Sequence, residues 1–264
     1  MPELPDVEAY RGRLAVEAVG REIADVEVTD AEALRGASPE KLARAATGHA
    51  FSKAVRHGKV LFARLGDGPW LALHFGMTGN LVLLGAGRDT PEHARTLFVF
   101  DDGDRLAFVN PRKFGWLELT GDIDGYLEEN DIGPDALALS EQDLEDIIGG
   151  TRGQVKPALM DQSKLAGIGN VYSDEILFCA RLRPDVKGNA LSDTQLRALY
   201  DAMRDVLEMA ADRLSDGEDL PRSWLARHRE DDATCPRCGG DIAKQTTAGR
   251  SARFCPACQQ GADD

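Results

Sequence analysis

The first residues of the chain could carry out covalent chemistry. Met1 is expected to be removed during maturation because the ring of Pro2 is small, and Pro2 would then present a free secondary amine. Such an amine can attack a sugar carbon and form an iminium ion, the strategy usually associated with lysine nucleophiles. The adjacent Glu3 could exchange a proton with the opening sugar. A Pro-Glu pair is also an ordinary start of a helix, so these two residues alone leave both interpretations open.

Four cysteines near the other end of the chain have the spacing of a zinc site. They form two Cys-x-x-Cys pairs separated by residues 239–254, namely Cys235, Cys238, Cys255 and Cys258. Four thiolates at this spacing can close a tetrahedron around one structural Zn²⁺. Two disulfides are the alternative, but the sequence shows no secretory signal. The fifth cysteine, Cys179, lies in an apolar stretch and is expected to pack inside the protein.

The elements that must position these groups differ between the two halves of the chain. A helix is predicted from residue 3 to about residue 18, with Val7, Tyr10 and Leu14 on one face. Short apolar runs separated by glycine and aspartate turns follow, and they predict a β-sandwich. The predicted strands cover residues 22–29, 50–56, 60–65, 70–75, 81–84, 97–100, 106–109 and 116–119.

The second half is predicted to be mostly helical. Residues 121–134 are rich in acids and glycines and are expected to form a linker. Helices are predicted over residues 141–149, 155–160, 170–180 and 192–214, with Ser192 and Asp193 as candidate caps. The cysteine-rich ribbon occupies residues 233–260. The expected fold class is a multidomain α+β protein, with a helix and β-sandwich in 1–120, a helical domain in 131–220 and a zinc ribbon in 233–262.

Composition gives conflicting indications of whether the protein binds nucleic acid. The chain has 264 residues, of which 42% are hydrophobic, enough for two domains and a small appendix. Its net charge of −14 argues against DNA, because lysine and arginine drive phosphate binding. Positive side chains nevertheless recur in the motifs, which predicts a basic face on an acidic body. Arginine outnumbers lysine by 23 to 8 and aspartate outnumbers glutamate by 28 to 17, a bias typical of proteins from a salt-rich cytosol. An ordinary acidic protein is the alternative.

Four motifs in order resemble one known family. These are PELPDVE at the start, NPRKFG and AGIGNVYSDE in the interior, and the paired Cys-x-x-Cys motifs at the end. Together they resemble the formamidopyrimidine-DNA glycosylase family (Fpg or MutM, with the Nei relatives) over nearly the whole chain. The resemblance implies an N-terminal helix and sandwich, a helix–two-turns–helix domain and a zinc finger, with DNA between them. The implied activity is base excision, in which an oxidised base is removed and the abasic strand is cut by β- and δ-elimination.

The resemblance also implies roles for residues around the flipped nucleotide. Pro2 would attack the anomeric carbon and Glu3 would protonate the sugar ring oxygen. Lys59 would clamp the phosphate that flanks the flipped nucleotide. His74 resembles a contact to the DNA backbone, although a histidine at a strand end could equally be a core residue. Asp6 departs from the family, which usually has glutamate there, so a proton-shuttling role is in doubt and a helix-dipole role is the alternative.

Flipping a base leaves a gap in the duplex, and apolar wedges are a known way to fill such a gap. Met77, Arg112 and Phe114 match the family's three void-filling residues. Met77 and Phe114 would stack in the gap, and Arg112 would hydrogen-bond the orphaned partner base. Lys113 would point at phosphate.

Further DNA contacts are implied in the second half. The glycine turn of residues 164–170 opens a helix, whose amides can bind an anion, and Asn170 would add a side-chain donor. Lys156 matches a family lysine near the lesion pocket, and Glu175 would order the helix turn. Arg250 matches the finger arginine that grips phosphate, while Arg253 stands where relatives often have an aromatic residue.

The substrate and its alternatives follow from these matches. The PELP opening and the Met77, Arg112 and Phe114 set favour formamidopyrimidines and 8-oxoguanine. The stretch 215–234 looks shorter than the family segment that contains the loop covering 8-oxoguanine, so formamidopyrimidine excision is expected to be at least as efficient. A Nei-like glycosylase for oxidised pyrimidines and a non-catalytic damaged-DNA-binding paralogue are the alternatives. A zinc-ribbon transcription or translation module would leave the first 120 residues unexplained. The expected partner is damaged double-stranded DNA, with no membrane, for a monomeric cytoplasmic protein associated with the nucleoid.

Overall fold

A computed structural model describes residues 1–247 and 249–262. The chain divides into two compact units, Met1–Asn130 and Asp131–Asp264. The helices are α1 Leu4–Glu17, α2 Pro39–Ala46, α3 Ile123–Glu129, α4 Glu141–Gly149, α5 Val155–Leu159, α6 Asn170–Cys179 and α7 Asp193–Ser215. The strands are β1 Ile23–Val28, β2 Leu34–Arg35, β3 Phe51–His57, β4 Val60–Leu65, β5 Trp70–His74, β6 Asn80–Leu84, β7 Ala94–Phe100, β8 Arg105–Val109, β9 Trp116–Thr120, β10 Ala243–Thr247 and β11 Arg250–Phe254.

Helix α1 begins directly after the Pro2-Glu3 pair. Glu3 has an extended backbone at the N-cap, and its N–H donates to the Asp6 carboxylate at 2.9 Å. Such an acceptor in the first turn satisfies a helix amide that has no partner within the helix. Val7 and Leu14 are buried, and the Tyr10 ring lies 4.6 Å from that of Phe75, which confirms the predicted apolar face.

The first unit contains a β-sandwich, as predicted. One sheet has the strand order β1-β7-β8-β6, and the other has the order β2-β9-β5-β4-β3. Their shared core includes leucines of β4 and β5 and phenylalanines of β7 and β8. The Phe75 and Phe108 rings, 6.0 Å apart, link the end of β5 to β8. All eight predicted strands are present, with bounds shifted by at most a few residues at either end.

The predicted linker over residues 121–134 is wrong in part because it contains α3. Asp122 caps this helix by accepting the Gly125 N–H at 2.7 Å, and Tyr126 is buried against Phe62 with ring centroids 5.3 Å apart. One aromatic anchor and one cap are enough to order an otherwise acidic stretch. Helix α2 and the short β2 were not predicted either, since α2 buries only Leu42 and Ala46.

The second unit contains α4 to α7 and the β10–β11 hairpin, close to the predicted positions. Ser192 is the N-cap of α7 and accepts the Gln195 N–H at 3.4 Å, while Asp193 is the first helical residue. None of the helices within the described residues is long and apolar enough to cross a membrane. The prediction that Cys179 packs inside the protein is wrong, because this last residue of α6 is exposed whereas Ile176, Leu177 and Phe178 are buried.

Candidate functional site

The N-terminal pair combines an accessible proline with a buried carboxyl group. Pro2 is half-buried, whereas Glu3 is only 2% exposed. Burial raises the pKa of Asp6, although the amide N–H of Glu3 partly opposes this effect. The shorter acid therefore still reaches the backbone of Glu3 and fixes the start of α1. With Met1 removed, this arrangement would place a secondary amine beside a shielded acid, which suits nucleophilic attack assisted by proton transfer.

Three loops emerge from one end of the five-stranded sheet. Val60 pairs with His57 on β3 and with His74 on β5, and His74 pairs in turn with Trp116 on β9. The β3–β4 turn, the segment after β5 and the segment before β9 therefore lie side by side. The first carries Lys59, the second carries Met77, and the third carries Arg112, Lys113 and Phe114. The register thus brings five predicted site residues to the same sheet edge.

Helix α1 approaches these loops through two contacts. Glu8 forms an ion pair with Arg56 at 3.0 Å, near the end of β3. The Tyr10 hydroxyl donates to the Gly79 carbonyl at 3.4 Å, and its ring packs on Phe75. The first turns of α1 are therefore held against the base of the Met77 loop, in the same unit as the predicted nucleophile.

Met77 and Phe114 are large apolar side chains that the fold leaves in solvent. Their exposed fractions are 40% and 55%. The guanidinium carbon of Arg112, which is also exposed, lies 5.4 Å from the centre of the Phe114 ring. Exposed apolar side chains on neighbouring loop tips mark a contact surface. Two such apolar side chains can enter a gap in a duplex, and an arginine beside them can hydrogen-bond an exposed base edge.

His74 is a neutral ring with a defined hydrogen-bond pattern. Burial, together with the positive charges of Lys59 and Arg35, lowers the pKa of His74 to about 4. Its Nδ1 accepts the Gly76 N–H at 3.2 Å, so the ring proton is on Nε2. The ring also stacks on Trp116 with centroids 4.0 Å apart. His74 therefore serves as a packed residue and keeps an N–H donor, and its phosphate contact stays a prediction.

The two lysines of this region differ in their surroundings. Lys59 lies in the β3–β4 turn and is close enough for its charge to act on His74. Lys113 has a φ of +56° and contacts Asp30 and Glu32, each at 2.9 Å. Its side chain is still 49% exposed. The structure thus gives Lys113 an anchoring contact that the sequence did not predict, and its phosphate contact stays a prediction.

Lys156 is the centre of a buried cluster in the second unit. Its Nζ lies 2.5 Å from Asp174 and donates to the Ser251 carbonyl at 3.1 Å and the Asn170 carbonyl at 3.5 Å. Both charged side chains of the Lys156–Asp174 pair are 1% exposed. Arg229 adds a second cation to Asp174 at 2.9 Å. We call Lys156, Asp174 and Arg229 the buried charge cluster. It joins α5, α6 and the β10–β11 hairpin.

The cluster lies beside the other predicted DNA contacts of this unit. Asn170 is the first residue of α6, follows the glycine turn and is half-buried. Arg250 opens β11, is exposed, and directly precedes the Ser251 carbonyl that Lys156 holds. A pocket of about 250 Å³ is lined by Lys156, Met160, Asp161, Thr247 and Arg250, among others. The structure therefore brings Lys156, Asn170 and Arg250 together.

The four paired cysteines fit one structural zinc ion. Their sulfurs all lie within 4.8 Å of one another, with Cys235–Cys258 at 3.8 Å and Cys238–Cys255 at 3.6 Å. A tetrahedral site with Zn–S bonds of about 2.3 Å separates its sulfurs by about 3.8 Å. These separations are too long for disulfide bonds, which are about 2.05 Å. Four thiolates leave no open coordination position, so the ion would hold the β10–β11 hairpin in shape.

Residues 216–234 are pinned to the rest of the second unit. Glu175, which is fully buried, accepts the Ala226 N–H at 2.7 Å, and burial raises the pKa of this glutamate to about 7. Arg229 reaches Asp174 in α6, and Arg253 donates to the Glu230 carbonyl at 3.0 Å. This contact spans 51 residues of sequence, and the expected ordering of the glycine turn before α6 by Glu175 stays a prediction.

Several residues of these sites were missed by sequence reasoning. Asp174 stands in an apolar helix, and its charge within Val-Tyr-Ser-Asp-Glu was the available signal. Asn110 opens the Asn-Pro-Arg-Lys-Phe-Gly motif and is fully buried, although it was not singled out. Trp116 and Arg229 gave no local signal, because their partners are distant in sequence.

Three family models match consecutive parts of the chain. The N-terminal domain of formamidopyrimidine-DNA glycosylase matches residues 1–117, and its H2TH domain matches residues 132–218. A zinc finger found in FPG and IleRS matches residues 234–261. The order of the three models along the chain is that of the expected helix and sandwich, helical region and cysteine-rich ribbon.

Curated proteins and solved structures are similar over nearly the whole length. The formamidopyrimidine-DNA glycosylase of Halorhodospira halophila is 36% identical over 272 residues, covering 98% of this chain and 100% of the relative. That of Bacillus subtilis is 33% identical, covering 98% and 99%. The Lactococcus lactis Fpg (MutM) bound to DNA containing N7-benzyl-Fapy-dG superposes with a TM-score of 0.88 at 30% identity, over 98% of this chain and 100% of that one. A MutM complex with DNA containing carbocyclic 8-oxo-G gives 0.87, also at 30% identity and with the same coverage.

Proposed function

The chain belongs to the formamidopyrimidine-DNA glycosylase family of DNA repair, and from this membership we propose that it is a bifunctional enzyme that excises oxidised purines and then cleaves the abasic strand. The observation that carries the proposal is the Pro2-Glu3 pair, in which a half-buried proline precedes a carboxyl group that is 2% exposed. A nucleophile and a shielded acid side by side are what glycosidic cleavage and sugar opening require.

The proposed chemistry starts at the amine of Pro2. Its nitrogen attacks C1′ of the damaged nucleotide, and the base leaves with the electrons of the glycosidic bond and with the proton that the amine loses. Glu3 donates a proton to the ring oxygen as the sugar opens, which leaves an iminium ion between Pro2 and C1′. Loss of a proton from C2′ expels the 3′ phosphate by β-elimination, and loss of a proton from C4′ then expels the 5′ phosphate by δ-elimination. Water hydrolyses the remaining iminium, which releases the sugar fragment as an aldehyde and frees the amine of Pro2. Asp6 would hold the backbone of Glu3 in place through the 2.9 Å hydrogen bond.

The remaining site residues would bind the distorted duplex. Met77 and Phe114 would fill the space left by the flipped nucleotide, with Arg112 on the orphaned base, since all three are exposed on adjacent loops. Lys59, Lys113 and the Nε2–H of His74 would contact phosphates from the first unit. In the second unit, Lys156, Asn170 and Arg250 would act at the phosphate beside the lesion. Because Lys156 is buried, its proposed role is to orient its neighbours.

We further propose that formamidopyrimidine excision is at least as efficient as 8-oxoguanine excision. Residues 216–234 are tied to α6 and to the hairpin by Ala226, Arg229 and Glu230, which leaves little free chain to cover a base. Matched duplexes carrying either lesion test this in single-turnover experiments. A strong preference for 8-oxoguanine would contradict it, and selective excision of an oxidised pyrimidine would favour the Nei-like alternative.

The setting of the enzyme is part of the same proposal. We infer a monomer that acts on double-stranded DNA in the cytoplasm, in association with the nucleoid. The net charge of −14 and the excess of aspartate over glutamate favour a salt-rich cytosol. Activity that peaks at elevated salt would support this, because an acidic protein repels itself at low salt, whereas a steady decline from about 50 mM upward would contradict it.

Borohydride trapping tests the central step. The mature protein is incubated with a duplex containing an abasic site, and its covalent adduct is compared with those of Pro2→Ala and Pro5→Ala variants. Pro5 is the matched control because it lies in the first turn of α1, away from the chain terminus. We expect an adduct with the wild type and with Pro5→Ala, and none with Pro2→Ala. No adduct with any of the three, at low or high salt, would favour the non-catalytic paralogue.

A further inference from the structure

Two loops of the first unit cross between its sheets side by side. Residues 75–79 lead from β5 in the five-stranded sheet to β6 in the four-stranded sheet, and residues 110–115 lead back from β8 to β9. Their ends are paired at both sheets, His74 with Trp116 and Asn80 with Val109. We call these two loops the wedge platform, because Met77 stands on one of them and Phe114 on the other.

The two loops touch through their backbones. Gly76 has a φ of +57°, and a Cβ atom there would lie 2.3 Å from the carbonyl carbon of Phe114 and 2.5 Å from the nitrogen of Gly115. A Cβ atom at Gly115 would lie 2.5 Å from the His74 carbonyl oxygen. No side chain fits between the loops at these positions, so the absence of Cβ atoms allows the contact. The two loops are therefore in direct backbone contact.

Asn110 closes the second loop from inside. It is 0% exposed, and its Nδ2 donates to the Gly115 carbonyl at 2.8 Å, spanning the residues that carry Arg112 and Phe114. Its own carbonyl accepts the Arg95 Nε–H at 3.1 Å, which ties the loop to β7. On the first loop, the Nδ1 atom of His74 holds the Gly76 N–H at 3.2 Å. A buried side-chain bond and a backbone contact thus fix both wedges.

We propose that Asn110 is a positioning residue for base flipping, and that through its bond to Gly115 and the Gly76 contact the wedge platform inserts Met77 and Phe114 into the duplex as one rigid unit. The inference rests on the proposed void-filling role of these two side chains. Asn110 itself touches neither DNA nor Pro2 in this role. Its effect is to fix the wedge geometry before DNA arrives, which lowers the entropic cost of insertion.

The test separates wedge insertion from sugar chemistry by the substrate. A single-stranded abasic oligonucleotide has no partner strand and no gap to fill, so trapping on it reports Pro2 alone. A lesion-bearing duplex requires insertion. For Asn110→Ala and Gly76→Ala we expect single-turnover excision from the duplex to fall by about 100-fold, as for other misplacements near 1 Å. Trapping on the single strand should stay close to that of the wild type.

Matched controls exist within the same unit. Asn130→Ala removes an amide that donates to the Tyr126 carbonyl at 2.9 Å, far from the platform in sequence. Gly87→Ala places a Cβ at a φ of +74° with nothing within 4 Å, so it adds backbone strain without a clash. Neither control should affect duplex excision selectively. Equal losses on duplex and single strand in the Asn110→Ala and Gly76→Ala variants, or no loss on the duplex, would overturn the proposal.

A double-mutant cycle avoids substitution in the interior. Met77→Ala, Phe114→Ala and the double variant change only exposed side chains. If the wedges act as one unit, the second substitution should cost less once the first has been made. The fold-loss in the excision rate of the double variant should then be smaller than the product of the two single fold-losses, by about twofold or more. Independent, multiplicative losses would overturn the proposal.

Fluorescence of 2-aminopurine beside the lesion reports duplex opening without chemistry. Opening by the wild type and failure of both platform variants would support the platform even if no adduct formed. If the wild type forms an adduct and the platform variants still open the duplex normally, this inference is contradicted but the proposed function is not. A wild type that neither traps nor opens the duplex would contradict the proposed function as well.

Discussion

The two units hold their proposed site residues by different means. In the first unit, Met77 and Phe114 are exposed, and backbone contacts at Gly76 and Gly115 fix the loops that carry them. In the second, Lys156 and Asp174 are 1% exposed, and Lys156 donates to the Ser251 carbonyl near the turn of the β10–β11 hairpin. The same unit contains the four thiolates that fit zinc. Close backbone packing is indifferent to pH and chelators. Buried charges and a metal site respond to both, so the two regions should fail under different conditions.

Removal of zinc should give the largest difference between the two units in their loss of function. We expect Cys255→Ser to lose bound zinc and to bind lesion-bearing duplex about 100-fold more weakly, because folding free energy of about 10 kcal/mol or more depends on such an ion. Zinc content and duplex binding are the measurements. Pro2 adduct formation on a single-stranded abasic oligonucleotide at saturating protein should remain detectable, since the first unit contains none of the cysteines.

Cys179→Ser is the control for that change. This cysteine is exposed and lies outside the cluster of four, so the variant should keep its zinc and its affinity for the duplex. Undiminished duplex binding by a zinc-free Cys255→Ser protein would show that the hairpin does not depend on the ion. The contrast between the two units would then lose its strongest support.

The sequence predicts the zinc site and most of the sheet for reasons that are local. Two Cys-x-x-Cys pairs are visible without a fold, and runs such as β4 Val60–Leu65 are bounded by turn residues on both sides. Motifs also predict Met77, Arg112 and Phe114 as site residues, although the residue types of Met77 and Phe114 alone favour the core. Their exposure depends on the sheet register that sends both loops out at one edge.

What the sequence could not predict depends on distant partners. Lys156 and Ser251 are 95 residues apart, and Arg229 and Asp174 are 55 apart, so no periodicity marks the buried charge cluster. An asparagine before proline is an ordinary turn signal, so the motif alone does not predict the buried contact of Asn110 with Gly115. The acidic composition of α3 predicts a linker, whereas one cap and one buried tyrosine decide its structure.

Breaking the buried charge cluster should have the next largest effect. Lys156→Met removes one of two cations from Asp174, which is 1% exposed, and loss of a partner from a buried pair typically costs about 3–5 kcal/mol of the free energy of unfolding. The remaining Arg229 contact should keep the cost toward the lower value. Urea unfolding measures the loss, and duplex affinity should fall with it because the Ser251 carbonyl next to Arg250 is released.

Lys113→Met provides the matching change in the first unit. That lysine also bridges two acids, Asp30 and Glu32, but its side chain is 49% exposed. Solvent screens such pairs, so the free energy of unfolding should change little. If Lys113→Met proved as destabilising as Lys156→Met, the first unit would depend on charge as much as the second does.

The pH dependence of the second unit gives the smallest and most specific effect. Burial raises the pKa of Glu175 to about 7 from an ordinary value of 4.5, against the opposing influence of the Ala226 N–H and Arg237. Between these two values the unfolded chain releases the proton that the folded protein retains. Stability therefore falls as pH rises from about 4.5 to about 7, and the loss is complete above that range. Glu175→Gln should abolish this pH-dependent loss of stability.

Relative to the wild type, Glu175→Gln is expected to raise the free energy of unfolding by on the order of 1–3 kcal/mol between pH 5 and pH 8. Urea unfolding followed by the fluorescence of Trp224, in a Trp70→Phe and Trp116→Phe background, reports the second unit. Glu208→Gln on the exposed face of α7 is the control and should run parallel to the wild type. A Glu175→Gln curve that also ran parallel to the wild type would mean that residues 216–234 are not held by a proton-sensitive contact. The second unit would then owe its sensitivity to zinc and to the Lys156 cluster alone.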